Sequence, residues 1–227
     1  MTETLEITDV LGRLPHASNT TLLARLSDDS LAVYKPERGE RPLWDFDFGT
    51  LAAREALTYE VSAAMGLAII PRTLLLDGPL GRGSVQTLVD EDTDIDPRYL
   101  LNGPVNELWP MAVLDIVTNN ADRKLGHILI EKESGLLWGI DNGLTFHAED
   151  KLRTMLWGFA GRPLPDSMHA ALARLSAALT DGLEDRIEEL LSPEEARAVR
   201  QRVDDLLAAP RHPHPPDDRP AVPWPMW

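Results

Sequence analysis

The chain has 227 residues, of which 43% are hydrophobic and 26% charged, proportions typical of a globular protein. Its 22 Lys and Arg against 37 Asp and Glu give a formal net charge of −15. This charge argues against nucleic-acid binding, which needs a basic surface, and against stable association with anionic membranes. The absence of cysteine excludes disulfides and thiolate metal sites. Because no segment has the pattern of a leader or a membrane span, we expect a cytoplasmic protein.

The first part of the chain, residues 1–89, predicts a small lobe of strands around one helix, which we call the N-lobe. A turn cluster at residues 27–29 separates two apolar runs and predicts a β-hairpin. Thr50 as N-cap and Gly66 after the last turn delimit the helix. In chain order, the predicted elements are a loop at 12–19, strands at 20–26 and 30–35, a helix at 51–65, and strands at 69–75 and 83–88.

The second part, residues 90–209, predicts a mainly helical C-lobe. Ser192, Pro193 and Glu195 form a typical helix start, with the serine as N-cap. The acidic stretch at 90–96 is interpreted as a solvated connector or a cation site. In chain order, the predicted elements are a helix at 108–119, strands at 127–131 and 136–140, and helices at 166–180, 182–191 and 193–208.

The last residues, 210–227, form a proline-rich segment that we call the tail. Prolines lack backbone donors, and the tail has no periodic apolar pattern. The sequence therefore predicts a flexible tail, with docking of Trp224 and Trp227 on the body of the protein as the alternative.

Four charged residues stand where phosphate chemistry would need them. Lys35 ends an apolar strand, where a flexible ammonium suits phosphate groups, and Glu55 on the predicted helix can pair with it. Asp122 lies in a loop, where a carboxylate can orient a hydroxyl or accept its proton. Asp141 ends a strand and enters a turn, a good position for a cation such as Mg²⁺. Lys35 or Glu55 alone is more typical of a surface charge, but the four together are what phosphoryl transfer requires.

The segments around these residues resemble the phosphatidylinositol 3- and 4-kinase-like branch of the protein-kinase-like fold. The closest pattern is that of the type II phosphatidylinositol 4-kinases, and HipA-like kinases and a group of actinobacterial kinase-like proteins are also similar. The resemblance runs from about residue 12 to about residue 165 and implies an α+β, two-lobed fold with a β-rich N-lobe and a mainly helical C-lobe. The matching segments are 33–36 (VYKP), 54–61 (REALTYEV), 83–89 (GSVQTLV), 114–123 (LDIVTNNADR) and 140–146 (IDNGLTF).

The resemblance implies an ATP-dependent phosphotransferase and assigns its site residues. For the nucleotide, Lys35 contacts the phosphates and Glu55 orients Lys35. The backbone around Gln86, Leu88 and Val89 would bond the adenine. Gly12 and the turn at Ser18 and Asn19 would offer N–H groups to the phosphates. For catalysis, Asp122 positions the acceptor hydroxyl, Asn120 braces the loop, and Arg123 either pairs with Asp122 or contacts the acceptor. Asp141 and His127 would hold the metal.

His127 departs from the resembled pattern, which has a metal-binding Asn five residues after the catalytic Asp. Imidazole suits Mn²⁺ or Zn²⁺ better than Mg²⁺, so the expected cofactors are ATP with Mg²⁺ or Mn²⁺. The departure leaves open a nucleotide-binding pseudokinase or a nucleotidyl transferase beside the kinase. Because the net charge of −15 does not suit a phosphoinositide membrane, the expected acceptor is a hydroxyl of a protein or a small metabolite.

Overall fold

The computed structural model describes residues 5–15, 19–101 and 106–226, without the side chain of residue 101. Strands predominate before residue 90 and helices after it, as the sequence predicts. Among the described residues, each helix is too short or too polar to cross a membrane.

The N-lobe is built on a five-stranded antiparallel sheet with strand order β1-β2-β3-β5-β4. One of its strands, β1, was not predicted, and Gly12 lies within it opposite Leu23 instead of in a phosphate-binding loop. Most β1 residues are exposed, so the strand lacks the apolar alternation that reveals a strand in sequence. The strands are β1 (Ile7–Arg13), β2 (Leu22–Leu26), β3 (Leu31–Pro36), β4 (Thr73–Gly78) and β5 (Gly81–Thr87).

The alternation along β3 decides which way Lys35 faces. Ala32 and Tyr34 are fully buried in the small N-lobe core, together with Val85 of β5. Since successive side chains of a strand point to opposite faces, Lys35 projects to the other side. The register places it opposite Ser84. Both side chains therefore face the helix that packs on the sheet.

That helix is α1 (Leu51–Ala64), and it agrees with the prediction to within one residue. Gly66 follows it with φ of +72°, the left-handed conformation that favours glycine after a helix. Thr50 is the N-cap residue as predicted, but its side chain makes no capping hydrogen bond to an amide of the helix. The Glu40 carboxylate instead accepts hydrogen bonds from the backbone N–H groups of Gly49 at 2.9 Å and Ala52 at 3.1 Å.

In the described part of the C-lobe, four α-helices and a two-stranded sheet surround one apolar core. Leu57, Val61 and Met65 of the N-lobe helix region belong to this same core, so α1 is shared by both lobes. The elements are α2 (Trp109–Thr118), the antiparallel pair β6 (Ile128–Ile130) and β7 (Leu137–Gly139), α3 (Asp166–Ala178), α4 (Glu184–Leu190) and α5 (Pro193–Ala208).

The later helices follow the prediction closely. α5 has the predicted bounds, and Ser192 caps it by accepting a hydrogen bond from the Glu195 amide at 3.2 Å. Between α3 and α4 the chain bends at Gly182, whose φ is +112°. The acidic stretch leads into the C-lobe, where Glu91 forms a bridge to Glu131. Within the described part of the chain, no group of three or more His, Asp or Glu side chains is arranged as a metal site.

The tail contradicts the prediction of flexibility over residues 210–226. Pro163 pairs with Arg211 in a short bridge. His212 is buried against the rings of Trp109, Trp157 and Phe159. Backbone and aromatic contacts of this kind are not visible as a periodic pattern, which explains why the composition of the tail suggests disorder.

Candidate functional site

The centre of the site is an ion-pair group that joins the two lobes. The Lys35 ammonium lies 2.7 Å from Oε1 of Glu55 and also forms an ion pair with Oδ1 of Asp141. Burial disfavours the charged ammonium, but the two carboxylates outweigh it and raise the pKa of Lys35 above its ordinary value. Lys35 lowers the pKa of Asp141 well below the usual range. Both groups are therefore charged at neutral pH, and three of the predicted site residues lie together.

Glu55 is held in place by a partner that the sequence did not reveal. Its Oε2 atom accepts a hydrogen bond from the Ser84 hydroxyl at 2.8 Å, and both side chains are buried. The β3–β5 register brings Ser84 opposite Lys35. Each oxygen of the Glu55 carboxylate therefore has a partner on a different strand: Lys35 of β3 on Oε1 and Ser84 of β5 on Oε2. Because the carboxylate is held from both sides, it fixes the direction in which Lys35 points.

Helix α1, which carries Glu55, is fastened to the C-lobe. The Arg54 guanidinium is buried and donates to the Thr145 carbonyl at 2.6 Å, with Oε1 of Glu195 2.8 Å away. At the other end, the Arg174 guanidinium donates to the Met65 carbonyl at 2.6 and 2.9 Å. Charge-assisted bonds of this kind are stronger than neutral ones, so the position of Glu55 is set by both lobes.

Asp141 sits in a strained turn after β7. Its φ is +54°, in the left-handed region that is uncommon for residues other than glycine. The next residue, Asn142, is fully buried and accepts a hydrogen bond from the Arg123 guanidinium at 2.5 Å. Asp141 itself keeps 46% of its side chain exposed. The turn therefore presents a charged carboxylate to the cleft while its neighbour anchors it.

Residues 119–127, which we call the catalytic loop for the role that the resemblance implies, carry Asp122, and the charge of Asp141 acts on its carboxylate. The Asp122 amide donates to Oδ1 of Asn120 at 2.9 Å, and Nδ2 of Asn120 donates to buried Asp115 at 3.0 Å. Asn120 thus braces the loop as the resemblance implies. The Asp122 carboxylate lies 3.0 Å from Nζ of Lys124, and burial raises its pKa against the opposing effect of that lysine.

Arg123 differs from its predicted role. Its side chain and that of Asp115 are 0% exposed, and the two form an ion pair at 3.0 Å. The guanidinium also donates to the Ile140 carbonyl at 3.0 Å. In the described part of the chain Arg123 pairs with Asp115 and Asp122 pairs with Lys124, and the full burial of the Arg123 side chain keeps it away from an acceptor. Arg123 is a structural link between the catalytic loop and the turn that carries Asp141.

His127 faces Asp141 across the cleft, with Nε2 3.6 Å from Oδ2. Burial lowers the pKa of His127 to about 4, although Asp141 acts in the opposite direction. The imidazole is therefore neutral at pH 7, the form that binds metals. Its buried Nδ1 atom has no hydrogen-bond partner among the residues that the structure describes. One carboxylate and one neutral imidazole are too few ligands to hold a cation on their own. They fit a cation that also takes oxygen ligands from nucleotide phosphates.

The predicted adenine-binding segment is partly engaged elsewhere. The Gln86 backbone is paired inside the sheet, with Val33 of β3 on one side and Thr73 of β4 on the other. The Leu88 amide donates to the Leu31 carbonyl at 3.1 Å. These two groups are therefore not free to bind a nucleotide. Of the three predicted residues, Val89 remains the candidate whose backbone could bind adenine, and it lies half-buried beyond the end of β5.

The predicted phosphate-covering turn is described only in part. Ser18 lies outside the described residues. Oδ1 of Asn19 accepts a hydrogen bond from the Arg41 amide at 3.0 Å, so this side chain holds the loop after β3. A cavity of about 480 Å³ lies elsewhere, between α5 and the segment 148–152 beneath Arg202, and it is not part of the Lys35 cleft.

Three supporting residues were missed by the sequence reasoning: Ser84, Arg54 and Asp115. Asp115 accepts bonds from Asn120, Arg123 and Thr154, while burial raises its pKa. The sequence did carry one signal for Asp115, because it is a charged residue inside the apolar run of α2. A charge at such a position is buried only when it has a partner.

Comparisons with known proteins establish the family and the fold of the chain. No family model matches the sequence. Protein Rv2133c of Mycobacterium tuberculosis (strain ATCC 25618 / H37Rv) is 40% identical over 256 aligned residues, covering 96% of this chain and 91% of that protein. The chain belongs to the family of this mycobacterial protein.

Solved structures of kinases share the fold of this family. The Golgi casein kinase with Mn/ADP bound matches with a TM-score of 0.58 and 14% identity, over 90% of this chain and 72% of that one. The Helicobacter pylori proinflammatory kinase CtkA matches with a TM-score of 0.57 and 12% identity, over 88% of this chain and 91% of that one. The predicted α+β, two-lobed protein-kinase-like fold is confirmed.

Proposed function

We propose that this family member is an ATP-dependent phosphotransferase that acts on a hydroxyl group. The observation that carries the proposal is the convergence of Lys35, Glu55 and Asp141 from three separate segments onto one ion-pair group. The Asp122 carboxylate is near enough for the charge of Asp141 to act on it. Such a group matches the needs of phosphoryl transfer, which is catalysed mainly by positioning and by electrostatic stabilisation. The kinase-like fold supports the proposal, as does the Mn/ADP bound to one structural neighbour.

In this reaction Lys35 contacts the phosphates of ATP, and Glu55 with Ser84 keeps the ammonium in position. Asp122 orients the acceptor hydroxyl. The hydroxyl oxygen forms a bond to the γ-phosphorus as the bond between that phosphorus and the β,γ-bridging oxygen breaks. The hydroxyl proton passes to Asp122, and ADP leaves. The raised pKa of Asp122 increases its affinity for that proton.

Asp141 and His127 would hold the Mg²⁺ or Mn²⁺ that accompanies ATP. When bound, such a cation neutralises charge on the phosphate oxygens. The lowered pKa of His127, about 4, keeps its imidazole free of a proton at the pH of the reaction. The Val89 backbone at the end of β5 is our candidate contact for adenine. The placement beside the type II phosphatidylinositol 4-kinases remains part of this proposal.

The test uses ATP labelled at the γ or at the α position, each with Mg²⁺ and with Mn²⁺. We expect transfer of the γ label by the wild-type chain and its loss in Asp122→Ala and in Asp141→Ala. Asp204→Ala, which alters an exposed carboxylate on α5, is the matched control and should retain transfer. Transfer of the α label alone would contradict the kinase and indicate a nucleotidyl transferase. ATP binding with neither label transferred to proteins or metabolites would indicate a pseudokinase.

A further inference from the structure

The segment after the Asp141 turn forms a short extended edge beside the catalytic loop. The Arg123 amide donates to the Arg153 carbonyl at 3.1 Å, and the Met155 amide donates to the Arg123 carbonyl at 3.1 Å. Thr154 lies between them in a parallel bridge with Arg123. Because backbone groups alternate in direction along an extended chain, the Thr154 amide points away from the catalytic loop. Residues 153–155 therefore have a second edge, which we call the docking edge.

The docking edge is rigid. The Thr154 hydroxyl is buried and donates to Asp115 at 3.1 Å. The same Thr154 Oγ1 atom accepts a hydrogen bond from the Leu156 amide at 3.2 Å. The buried pair of Asp115 and Arg123 thus fixes both the catalytic loop and the edge next to it. A preformed edge binds an extended chain with little ordering of its own.

The tail occupies the docking edge. The Ala221 carbonyl accepts two hydrogen bonds, from the Thr154 amide at 3.1 Å and from Nε1 of Trp157 at 2.7 Å. Farther along, the Met226 carbonyl accepts a hydrogen bond from the Leu125 amide at 3.3 Å. Leu125 lies only three positions after Asp122. Single main-chain hydrogen bonds of this kind hold an extended segment through its backbone, the contact from which β-augmentation of a peptide is built.

A charged contact fixes the start of this occupied stretch. The Arg219 guanidinium lies 2.5 Å from Oδ2 of Asp150 and donates to the Leu152 carbonyl at 3.0 Å. Asp150 precedes the docking edge. It therefore recognises a basic residue, Arg219, two positions before Ala221, whose carbonyl binds the Thr154 amide. The edge therefore fits an extended polypeptide that carries such a basic residue.

The part of the tail that occupies the docking edge, residues 219–226, has no hydroxyl group that could accept a phosphoryl group. Residues 219–226 read RPAVPWPM, and the whole tail from 210 to 227 contains no Ser, Thr or Tyr. A segment that fills an acceptor groove but lacks a hydroxyl blocks the groove without being consumed. The contact is therefore suited to inhibition, not to self-modification.

We propose that the docking edge is the acceptor site for a protein substrate, and that the tail is a built-in pseudosubstrate which must leave before the substrate binds. The proposal rests on the proposed phosphotransferase function and narrows its acceptor class to extended polypeptides with a basic residue. The tail up to His212, which packs in the C-lobe core, remains in place. Only the stretch from Arg219 onward has to move.

The binding test uses a chain shortened after residue 217 and a fluorescein-labelled peptide of residues 217–227. We expect the shortened chain to bind this peptide at least tenfold more tightly than the full chain does. A peptide with Arg219→Glu should bind the shortened chain at least several-fold more weakly. In the full chain, Arg219→Glu should increase peptide binding, whereas Arg197→Glu should not, since Arg197 makes only an exposed pair within α5.

The outcomes separate this proposal from the proposed function. If the shortened chain is folded and binds no peptide, or if Arg219→Glu in the full chain leaves peptide binding at the wild-type level, the docking edge is refuted. Should the shortened chain fail to fold, the full-length Arg219→Glu variant decides alone. γ-Label transfer is then measured on peptides of residues 217–227 with a serine placed at one of positions 221–226. Peptide binding without transfer to any of them, in a chain that transfers the γ label to another acceptor, would refute the docking edge as the acceptor site and leave the kinase standing; loss of γ-label transfer to every acceptor would refute the kinase.

Discussion

The Ser84 hydroxyl donates to Oε2 of Glu55 at 2.8 Å, on the side of the carboxylate opposite to Lys35. Through this bond, strand β5 determines the orientation of a residue on α1. Glu55 is buried, so loss of the bond would leave one carboxylate oxygen without a donor. Buried acceptors in that condition are costly.

Ser84→Ala is therefore expected to lower the free energy of unfolding by about 1.5–3 kcal/mol, the usual contribution of a hydrogen bond to a charged group. It should also reduce γ-label transfer several-fold, because Lys35 is no longer held in one direction. Urea denaturation and the labelled-ATP assay measure the two effects. Ser167→Ala, at an exposed site on α3, is the control and should change neither. Wild-type stability in Ser84→Ala would show that the bond is unimportant.

The buried pair of Arg123 and Asp115 should behave unlike a surface pair. Both side chains are 0% exposed, so Arg123→Met leaves a buried carboxylate without its cation and should cost about 3–5 kcal/mol. The double variant with Asp115→Asn should cost less than the sum of the two single variants. Denaturation of the four proteins in a double-mutant cycle measures the coupling.

The exposed pair of Arg197 and Glu194, at 2.8 Å, provides the comparison. Its cycle should give a coupling of about 1 kcal/mol or less. Equal couplings for the two pairs would contradict the structural role assigned to Arg123.

His127 should affect which metal supports activity. A neutral imidazole 3.6 Å from Asp141 favours Mn²⁺, whereas an amide oxygen in its place suits Mg²⁺. His127→Asn is therefore expected to lower the ratio of Mn²⁺-supported to Mg²⁺-supported γ-label transfer. His169→Asn, at an exposed site on α3, should leave the ratio unchanged. If the ratio is the same in all three proteins, His127 does not contact the metal.

His212 should make stability depend on pH. Burial lowers its pKa, with His214 acting in the same direction and the Pro213 carbonyl opposing. An unfolded histidine gains a proton below about pH 6.5, while folded His212 does so only at lower pH. Between these values the unfolded state binds more protons, so the free energy of unfolding falls as the pH decreases.

The measurement is urea denaturation at several pH values from 7.5 down to 5. His212→Phe, which keeps an aromatic ring next to Trp109 and Trp157, should show a smaller decrease than the wild type. His169→Gln should keep the wild-type slope. Identical slopes for the wild type and His212→Phe would show that the titration of His212 does not contribute.

Much of the site was visible in the sequence because its residues lie on regular elements or directly after them. Lys35 ends a strand, Glu55 lies on an apolar helix, and Asp141 follows a strand, and the structure brings all three together. The supporting residues were not visible, because a partner such as Ser84 for Glu55 depends on strand register. The role of Arg123 was mistaken for the same reason: its partner, Asp115, becomes close only when the loop folds back on α2.

The sequence also did not reveal the elements that lack a periodic apolar pattern, namely strand β1 and the docked tail. Strand β1 is an exposed edge strand, and its pairing with β2 is set by backbone hydrogen bonds. The tail likewise docks through carbonyls, such as that of Ala221, and through single residues such as Arg219. Backbone pairing leaves little trace in residue type, so composition alone favours a flexible interpretation.

The central claim is that Lys35, between Glu55 and Asp141, binds the phosphates of ATP. Isothermal titration calorimetry of ATP with Mg²⁺ or Mn²⁺ tests it in the wild type, in Lys35→Met and in Lys132→Met, which alters an exposed lysine in the turn after β6. We predict a dissociation constant at least tenfold higher for Lys35→Met, a loss of about 1.4 kcal/mol or more, and an unchanged constant for Lys132→Met. Equal affinities in all three folded proteins would contradict the claim.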